Sequence, residues 1–176
     1  SKRPWPIKHL KSIESSYRKT EHFNDVYPFF EKLLNQQHQI LSELTTSIIQ
    51  SISDRIGIST EFVKSSELGE LNGVKDERLV DICQKLGTQQ YLSPVGSSDY
   101  LEKDQPGGKI VEARIDLFYQ NFEHPLYKQL YGDFVSHLSI IDLLFNEGFD
   151  NALNIIRSGR REMYSFENFR SEVMRI

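Results

Sequence analysis

Cysteine and long apolar runs are scarce in this chain of 176 residues, and each scarcity excludes a class of protein. Because Cys83 is the one cysteine, no disulfide can form within the chain and no thiolate metal cluster can be built. Cys83 lies on the apolar side of a predicted helix, so we expect a small core residue. No apolar run approaches the roughly 20 residues that a membrane-spanning helix needs. We therefore expect a cytoplasmic protein with no membrane span.

Basic residues are not in surplus, since the formal net charge is −4. A general nucleic-acid-binding protein usually carries a basic surplus that pairs with phosphates. The hydrophobic fraction of 38% and the charged fraction of 26% are ordinary for a globular protein. We expect no nucleic-acid partner, and a chain long enough to bury a sizeable core.

The common catalytic and metal-binding motifs are also missing. There is no HExxH pattern, no GxSxG pattern and no complete P-loop or GxGxxG pattern. The histidines show no metal-ligand spacing; they are His9, His22, His38, His124 and His137. We expect neither a metal site nor a cofactor.

Apolar residues recur at helical spacing over much of the chain, and capping residues mark where the helices begin and end. The last of these helices is capped by Ser165. The predicted helices span residues 5–20, 24–34 with Asn24 as cap, 37–56 ended by Gly57, 75–86 ended by Gly87, 139–146, 151–156 and 165–176, with a short helix in DYLEKD.

Three segments are predicted to be strands: Thr60–Lys64, Gln90–Val95 and Ile110–Tyr119. Strands that alternate with helices indicate an α/β fold, Rossmann-like and layered, with a mainly parallel sheet. Three strands are few for a complete open sheet, so we expect the fold to be incomplete at its N-terminal side. Residues 1–158 are predicted to form this domain, and residues 159–176 a helical tail.

A turn that joins a predicted strand to a helix is the first candidate for ligand binding. Gly96, Ser97 and Ser98 follow the strand, and backbone N–H groups at such a turn can hold a phosphate or carboxylate. Asp99 would repel a phosphate but could accept a hydrogen bond from a sugar hydroxyl. The alternative is a serine that only caps the helix.

The loop after the last predicted strand carries the best candidate for proton transfer, His124. Imidazole titrates near neutral pH, so it can act as acid or base. Tyr127 and Gln129 could contact a substrate ring and its polar groups. The alternatives are a structural histidine bonded to a backbone carbonyl, and side chains that only pack and cap the turn.

Asp142 lies in the apolar run SIIDLLFN, where a carboxylate must find partners if it is buried. It could orient His124 or hold a substrate. The alternative, which we favour, is that it satisfies backbone amides of a neighbouring loop.

Three segments taken together resemble one family. They are WPIKHLKSIESSYRKTEHF (Trp5–Phe23), YLSPVGSSDYL (Tyr91–Leu101) and NFEHPLYKQLYGDFVSHLSIIDLLFNEG (Asn121–Gly148). In this order they resemble the WbqC-like proteins, which are bacterial and often encoded among genes for surface polysaccharides such as O-antigen. That family usually has an N-terminal motif of the type HQPxxxPW. This sequence begins partway through the family's pattern, so we expect a fragment or a truncated form.

The resemblance implies a cytoplasmic, transferase-type enzyme of surface-polysaccharide biosynthesis that acts on an activated amino sugar. Its partner would be a nucleotide sugar or another small molecule. The alternative is a non-catalytic binding or scaffolding domain of a biosynthetic assembly, which the missing N-terminal motif favours. The sequence leaves the donor, the acceptor and the oligomeric state open.

Overall fold

The computed structural model describes residues 5–103 and 105–174. The chain divides into two compact units, and each is built from two separate stretches of sequence. The first unit comprises Ser1–Glu61 and His124–Gly159, and the second comprises Phe62–Glu123 and Arg160–Ile176. The predicted division into a domain of residues 1–158 and a tail of residues 159–176 stays a prediction.

Helices dominate both units. In chain order they are α1 (Trp5–Tyr17), α2 (Phe23–Leu34), α3 (Leu41–Ile56), α4 (Lys75–Lys85), α5 (Ser98–Leu101), α6 (Gly108–Glu112), α7 (Ile140–Ser158) and α8 (Phe166–Asn168). The strands are β1 (Gln90–Ser93), β2 (Asp116–Tyr119) and β3 (Tyr164–Ser165). Short 3₁₀ turns lie at Ser65–Glu67 and Val95–Ser97, and a π-helical segment at Phe169–Met174. None of the helices in the described part of the chain is long and apolar enough to cross a lipid bilayer.

The first unit is an all-helical core formed by α1, α2, α3 and α7. Leu144 and Phe145 of α7 are fully buried, which confirms their prediction as core residues, and Ile141 is partly buried against them. The Phe145 ring stacks on Tyr17 of α1 with centroids 4.7 Å apart. Because α7 meets the apolar faces of the other helices, it organises this core.

Two predicted helices, residues 139–146 and 151–156, are one interrupted element. Ser139 caps it, since its hydroxyl accepts a hydrogen bond from the Ile141 backbone N–H. Gly148 interrupts the helical backbone with φ 76° and ψ 172°, a conformation almost restricted to glycine. The predicted cap Asn24 is wrong: α2 begins at Phe23, after His22.

The second unit contains the mixed sheet. β1 pairs parallel to β2, with Gln90 opposite Asp116, and β2 pairs antiparallel to β3. Its core includes Cys83, which is buried as predicted, and burial raises the pKa of the Cys83 thiol. A helix-rich α/β fold is therefore confirmed, whereas the mainly parallel sheet and the Rossmann-like layering are not.

Two of the predicted strands differ from the structure. Thr60–Lys64 is not a strand: its residues are exposed, so the apolar side chains have no core face to pair against. The predicted strand Ile110–Tyr119 is a strand only in its second half, because its first residues lie in α6. The Asp76 carboxylate accepts a hydrogen bond from the Lys109 backbone N–H at 2.8 Å, which stabilises the start of that helix.

The segment after Ser165 packs onto the sheet of the second unit. The Ser165 hydroxyl accepts a hydrogen bond from the Asn168 N–H, which confirms the predicted cap. Phe169 is buried and stacks on Tyr119, with centroids 4.0 Å apart. Two residues of the predicted final helix, 175 and 176, and Asp104 of the predicted helix DYLEKD lie outside the described residues.

Candidate functional site

A buried carboxylate, that of Asp142, lies in the first unit, in the first turn of α7. Only 6% of Asp142 is exposed. Its Oδ2 accepts one hydrogen bond from the Tyr127 hydroxyl and one from the Gln129 amide, each at 2.9 Å. We call Tyr17, Tyr127, Gln129 and Asp142 the Asp142 cluster. We expected backbone amides of a neighbouring loop to donate to Asp142. The donors are instead the side chains of Tyr127 and Gln129.

Both tyrosines of the Asp142 cluster are held in their protonated form. Burial and then the Asp142 carboxylate raise the pKa of Tyr17 to about 12. Burial also raises the pKa of Tyr127 to about 12, with the Asp142 carboxylate adding to the shift and the Gln129 hydrogen bond opposing it. Near neutral pH both phenols are therefore donors, which is what a buried carboxylate requires.

Gln129 also closes the loop that leads to α7. Its amide nitrogen donates to the Val135 carbonyl at 2.9 Å, and its amide oxygen accepts from the Val135 N–H at 2.8 Å. Earlier in the loop, the Lys128 N–H donates to the Glu147 carboxylate at 3.1 Å. The loop is thus attached to α7 and to itself by side-chain hydrogen bonds.

His124 makes backbone hydrogen bonds through both of its ring nitrogens. Nε2 accepts from the His137 N–H at 3.1 Å, and Nδ1 lies 3.0 Å from the Pro125 carbonyl oxygen. These partners assign the neutral tautomer that carries its proton on Nδ1. The rings of His124 and His137 have centroids 4.8 Å apart, and His137 has φ 60°, an unusual value for a residue with a side chain.

This geometry allows two kinds of chemistry at His124. As found, the imidazole holds two loop segments together, which is the structural role considered above. Proton transfer through Nε2 would require the His137 N–H to move away. The acid–base role of His124 stays a prediction, as does substrate binding by Asp142, Tyr127 and Gln129.

The residues Gly96, Ser97, Ser98 and Asp99 lie in the second unit, after β1. The predicted serine cap is wrong: Ser97 has helical backbone angles and its side chain makes no capping hydrogen bond, because a capping side chain needs an extended backbone. The Ser97 N–H donates to the Pro94 carbonyl at 3.0 Å, and Ser98 is buried. The anion-binding role of this turn stays a prediction.

Sequence reasoning missed two members of this region, Tyr17 and His137. Tyr17 has the spacing of an apolar helix position, and nothing local links it to a carboxylate 125 positions further along the chain. The sequence shows His137 only as one of five histidines without metal-ligand spacing. Within the residues that the structure describes, no group of three or more His, Cys, Asp or Glu side chains could hold a metal ion.

The comparisons with known proteins agree with the resemblance in the sequence. The family model of the WbqC-like protein family matches residues 1–153. A protein of Mycobacterium tuberculosis (strain ATCC 25618 / H37Rv), named "Uncharacterized protein Rv1507c", is 32% identical over 146 residues. That match covers 82% of this chain and 61% of the relative's length, so the chain spans less than two thirds of it. No solved structure matches. The chain belongs to the WbqC-like protein family.

Proposed function

We propose that this chain contributes the sugar-binding and catalytic part of a transferase-type enzyme of bacterial surface-polysaccharide biosynthesis, such as that of O-antigen. The substrate is an activated amino sugar supplied as a nucleotide sugar in the cytoplasm. Membership of the WbqC-like family supports the biosynthetic setting. The contacts around Asp142 support the substrate class.

The buried carboxylate of Asp142 is the observation that carries the proposal. Burying a charge is costly, and a protein keeps one where hydrogen bonds or a ligand compensate it. The donors of Asp142 are the Tyr127 hydroxyl and the Gln129 amide. Hydroxyl and amino groups of a sugar are donors of the same kind, so a substrate can replace one of them without leaving the carboxylate unpaired.

Aromatic rings next to Asp142 supply an apolar surface for the same ligand. The Tyr127 ring packs edge-on to Phe134 with centroids 5.3 Å apart, and the His124 ring lies 5.8 Å from Phe134. In the proposed reaction His124 transfers a proton of the substrate. Its Nε2, which accepts a hydrogen bond from the His137 N–H in this structure, would accept one from a substrate group in its place.

Turnover of nucleotide-activated amino sugars tests this function. Sugar transfer is measured by mass spectrometry for the wild type, Asp142→Asn and His124→Gln. We expect His124→Gln to fold, by circular dichroism, and to lose about 10²–10⁴-fold in rate, the usual contribution of a general acid or base. Asp133→Asn, an exposed carboxylate in the same loop, is the matched control and should keep full activity. Equal turnover in wild type and His124→Gln would contradict the assignment.

A non-catalytic binding or scaffolding domain is the second candidate function. It is favoured because the polar groups of His124 and Asp142 already have hydrogen-bond partners within the protein. A purely structural cluster predicts that His124→Gln lowers the free energy of unfolding while no nucleotide sugar is turned over by any variant. The transfer assay and a denaturation curve on the same samples separate the two functions.

A further inference from the structure

A cavity of about 770 Å³ lies in the first unit, between the start of α1 and the connection from α2 to α3. Volumes of roughly 300–1,000 Å³ are usual for sites that bind small molecules. The Asp142 cluster contributes no residue to its lining. The cavity is therefore a feature separate from the site described above.

An exposed indole and a leucine surface form the apolar part of this cavity. Trp5 is 48% exposed, and its ring system makes a T-shaped contact with the His9 ring, with centroids 5.6 Å apart. Leu34 and Leu44, both buried, also line the cavity. An indole half in solvent offers an electron-rich face to the C–H groups of a ligand.

Side-chain amides form the polar part of the lining. Asn35, Gln37 and Gln39 are exposed, and among the described residues their side-chain amides make no hydrogen bond. Gln36 is held in place, because its Oε1 accepts from the Ser47 hydroxyl at 3.1 Å and lies 3.3 Å from His38 Nε2. Each amide offers both donors and acceptors. The lining can therefore pair with hydroxyl groups of either orientation.

Formal charge is almost absent from this lining. None of the described residues that line the cavity is an aspartate, glutamate, lysine or arginine, and His38 is its one titratable side chain. Phosphates and nucleotides are usually held by cationic side chains, and metal cations by carboxylates or imidazoles in groups. The start of α3 also lies in the lining, but the Glu43 carboxylate in its first turn accepts a hydrogen bond from the Gln39 N–H and would repel an anion. The composition thus selects for a neutral ligand with many hydroxyl groups.

We propose that this cavity binds an uncharged saccharide, with the C–H face of a pyranose ring against Trp5 and its hydroxyl or acetamido groups on the amides of Asn35, Gln37 and Gln39. A pyranose combines an apolar ring face with a rim of hydroxyl groups, which matches an indole beside a row of amides. The proposal goes beyond the function proposed above. It rests on residues that take no part in the Asp142 cluster.

Fluorescence of the whole chain tests the proposal directly, because Trp5 is its one tryptophan. N-acetylglucosamine, glucose and cellobiose are titrated at neutral pH, with glucuronic acid and glucose 6-phosphate as charged counterparts. We expect a saturable change in Trp5 emission with at least one neutral sugar, and weaker binding of the charged sugars. No saturable change with any neutral sugar, or tighter binding of the charged ones, would overturn the proposal.

Variants separate this cavity from the rest of the surface. By calorimetry, Trp5→Ala should abolish binding, and Gln37→Ala should weaken it roughly two- to tenfold, the effect of one hydrogen bond. Tyr100→Ala, another exposed aromatic, and Gln50→Ala, a glutamine of α3 outside the lining, are the matched controls and should bind normally. Unchanged affinity in both Trp5→Ala and Gln37→Ala would place the sugar elsewhere. None of these results depends on whether nucleotide sugars are turned over.

Discussion

Asp142 shows how one buried residue can define its surroundings. Because the carboxylate lies among apolar side chains, its oxygens need hydrogen-bond donors. Tyr127 and Gln129 do so directly, and Tyr17 stays protonated beside it. Burial, with the Asp142 carboxylate adding to it, raises the pKa of both phenols to about 12, and this property can be measured.

Stability should therefore fall in alkaline solution through Tyr127. Its pKa is raised from 10.0 to about 12, so between these values the unfolded chain loses a proton that the folded chain keeps. The stabilisation is fully present below pH 10 and is lost as the pH rises through about 12. Denaturant unfolding across this range should show a shallower fall for Tyr127→Phe than for the wild type. Tyr131→Phe, 60% exposed in the same loop, is the control. Identical slopes for all three proteins would contradict the shift.

Leu144 tests the packing of the first unit at a single side chain. It is fully buried beside Phe145, so truncation leaves a cavity that helices cannot easily close. Leu144→Ala should lower the free energy of unfolding by about 2–5 kcal/mol. Leu126→Ala removes the same atoms from a side chain that is 79% exposed and should change little. Equal denaturation midpoints for the two variants would show that α7 is peripheral.

At the scale of elements, helices could be predicted from the sequence more reliably than strands. The apolar spacing of α3, α4 and α7 is long enough to show a helical period, and glycines mark several of the ends. The strands have at most four residues, too few for alternation to be diagnostic. Ile110–Tyr119 shows the limit. Its alternation spans α6 and β2, and the helical half depends on Asp76, which is distant in sequence.

The site was predictable to the extent that it is local. His124, Tyr127 and Gln129 lie within six positions, and the structure places them in one loop next to Asp142. Tyr17 could not be linked to them, because its contact with Asp142 depends on how α1 packs against α7. The tautomer of His124 likewise depends on a backbone N–H thirteen residues away.

Gly148 makes the break in α7 a testable feature. A methyl group there would lie 2.7 Å from His22 Nδ1, and the backbone angles are ones that residues with side chains rarely adopt. Gly148→Ala should therefore destabilise the protein by about 1–3 kcal/mol or more. Gly132→Ala, at φ 65° with no atom within 4 Å of the added methyl group, measures backbone strain without the clash. Adding His22→Ala should recover only the part due to the clash. An unchanged unfolding curve for Gly148→Ala would mean that the break is not required.

At the scale of the whole molecule, the chain builds each unit from stretches that are distant in sequence. In the first unit, α1 to α3 end by Ile56, and the helix that completes their core begins at Ile140. More than eighty residues of the chain lie between the two stretches, so the core forms only after a large loop has closed. Neither stretch contains a complete core by itself.

This organisation predicts that residues 1–61 do not fold alone. Their apolar side chains pack on α7: Phe29 lies edge-on to Phe149 at 5.0 Å, and Phe30 stacks on Phe145 at 6.1 Å. Without α7 these rings stay in water, and burial of a large apolar side chain contributes about 1.5–3 kcal/mol. The two rings together therefore account for roughly 3–6 kcal/mol, a large share of a typical net stability of about 5–15 kcal/mol. We expect the isolated segment to give a non-cooperative thermal melt and poorly dispersed NMR amide signals.

Adding a peptide of residues 124–159 to the isolated segment should restore dispersed amide signals and a cooperative transition. The same peptide with Phe145→Ala and Phe149→Ala is the matched control, since it removes the two rings that the segment packs against. A cooperative melt of residues 1–61 alone would mean that α1 to α3 hold a core of their own, and α7 would then be an addition to that core and not its centre.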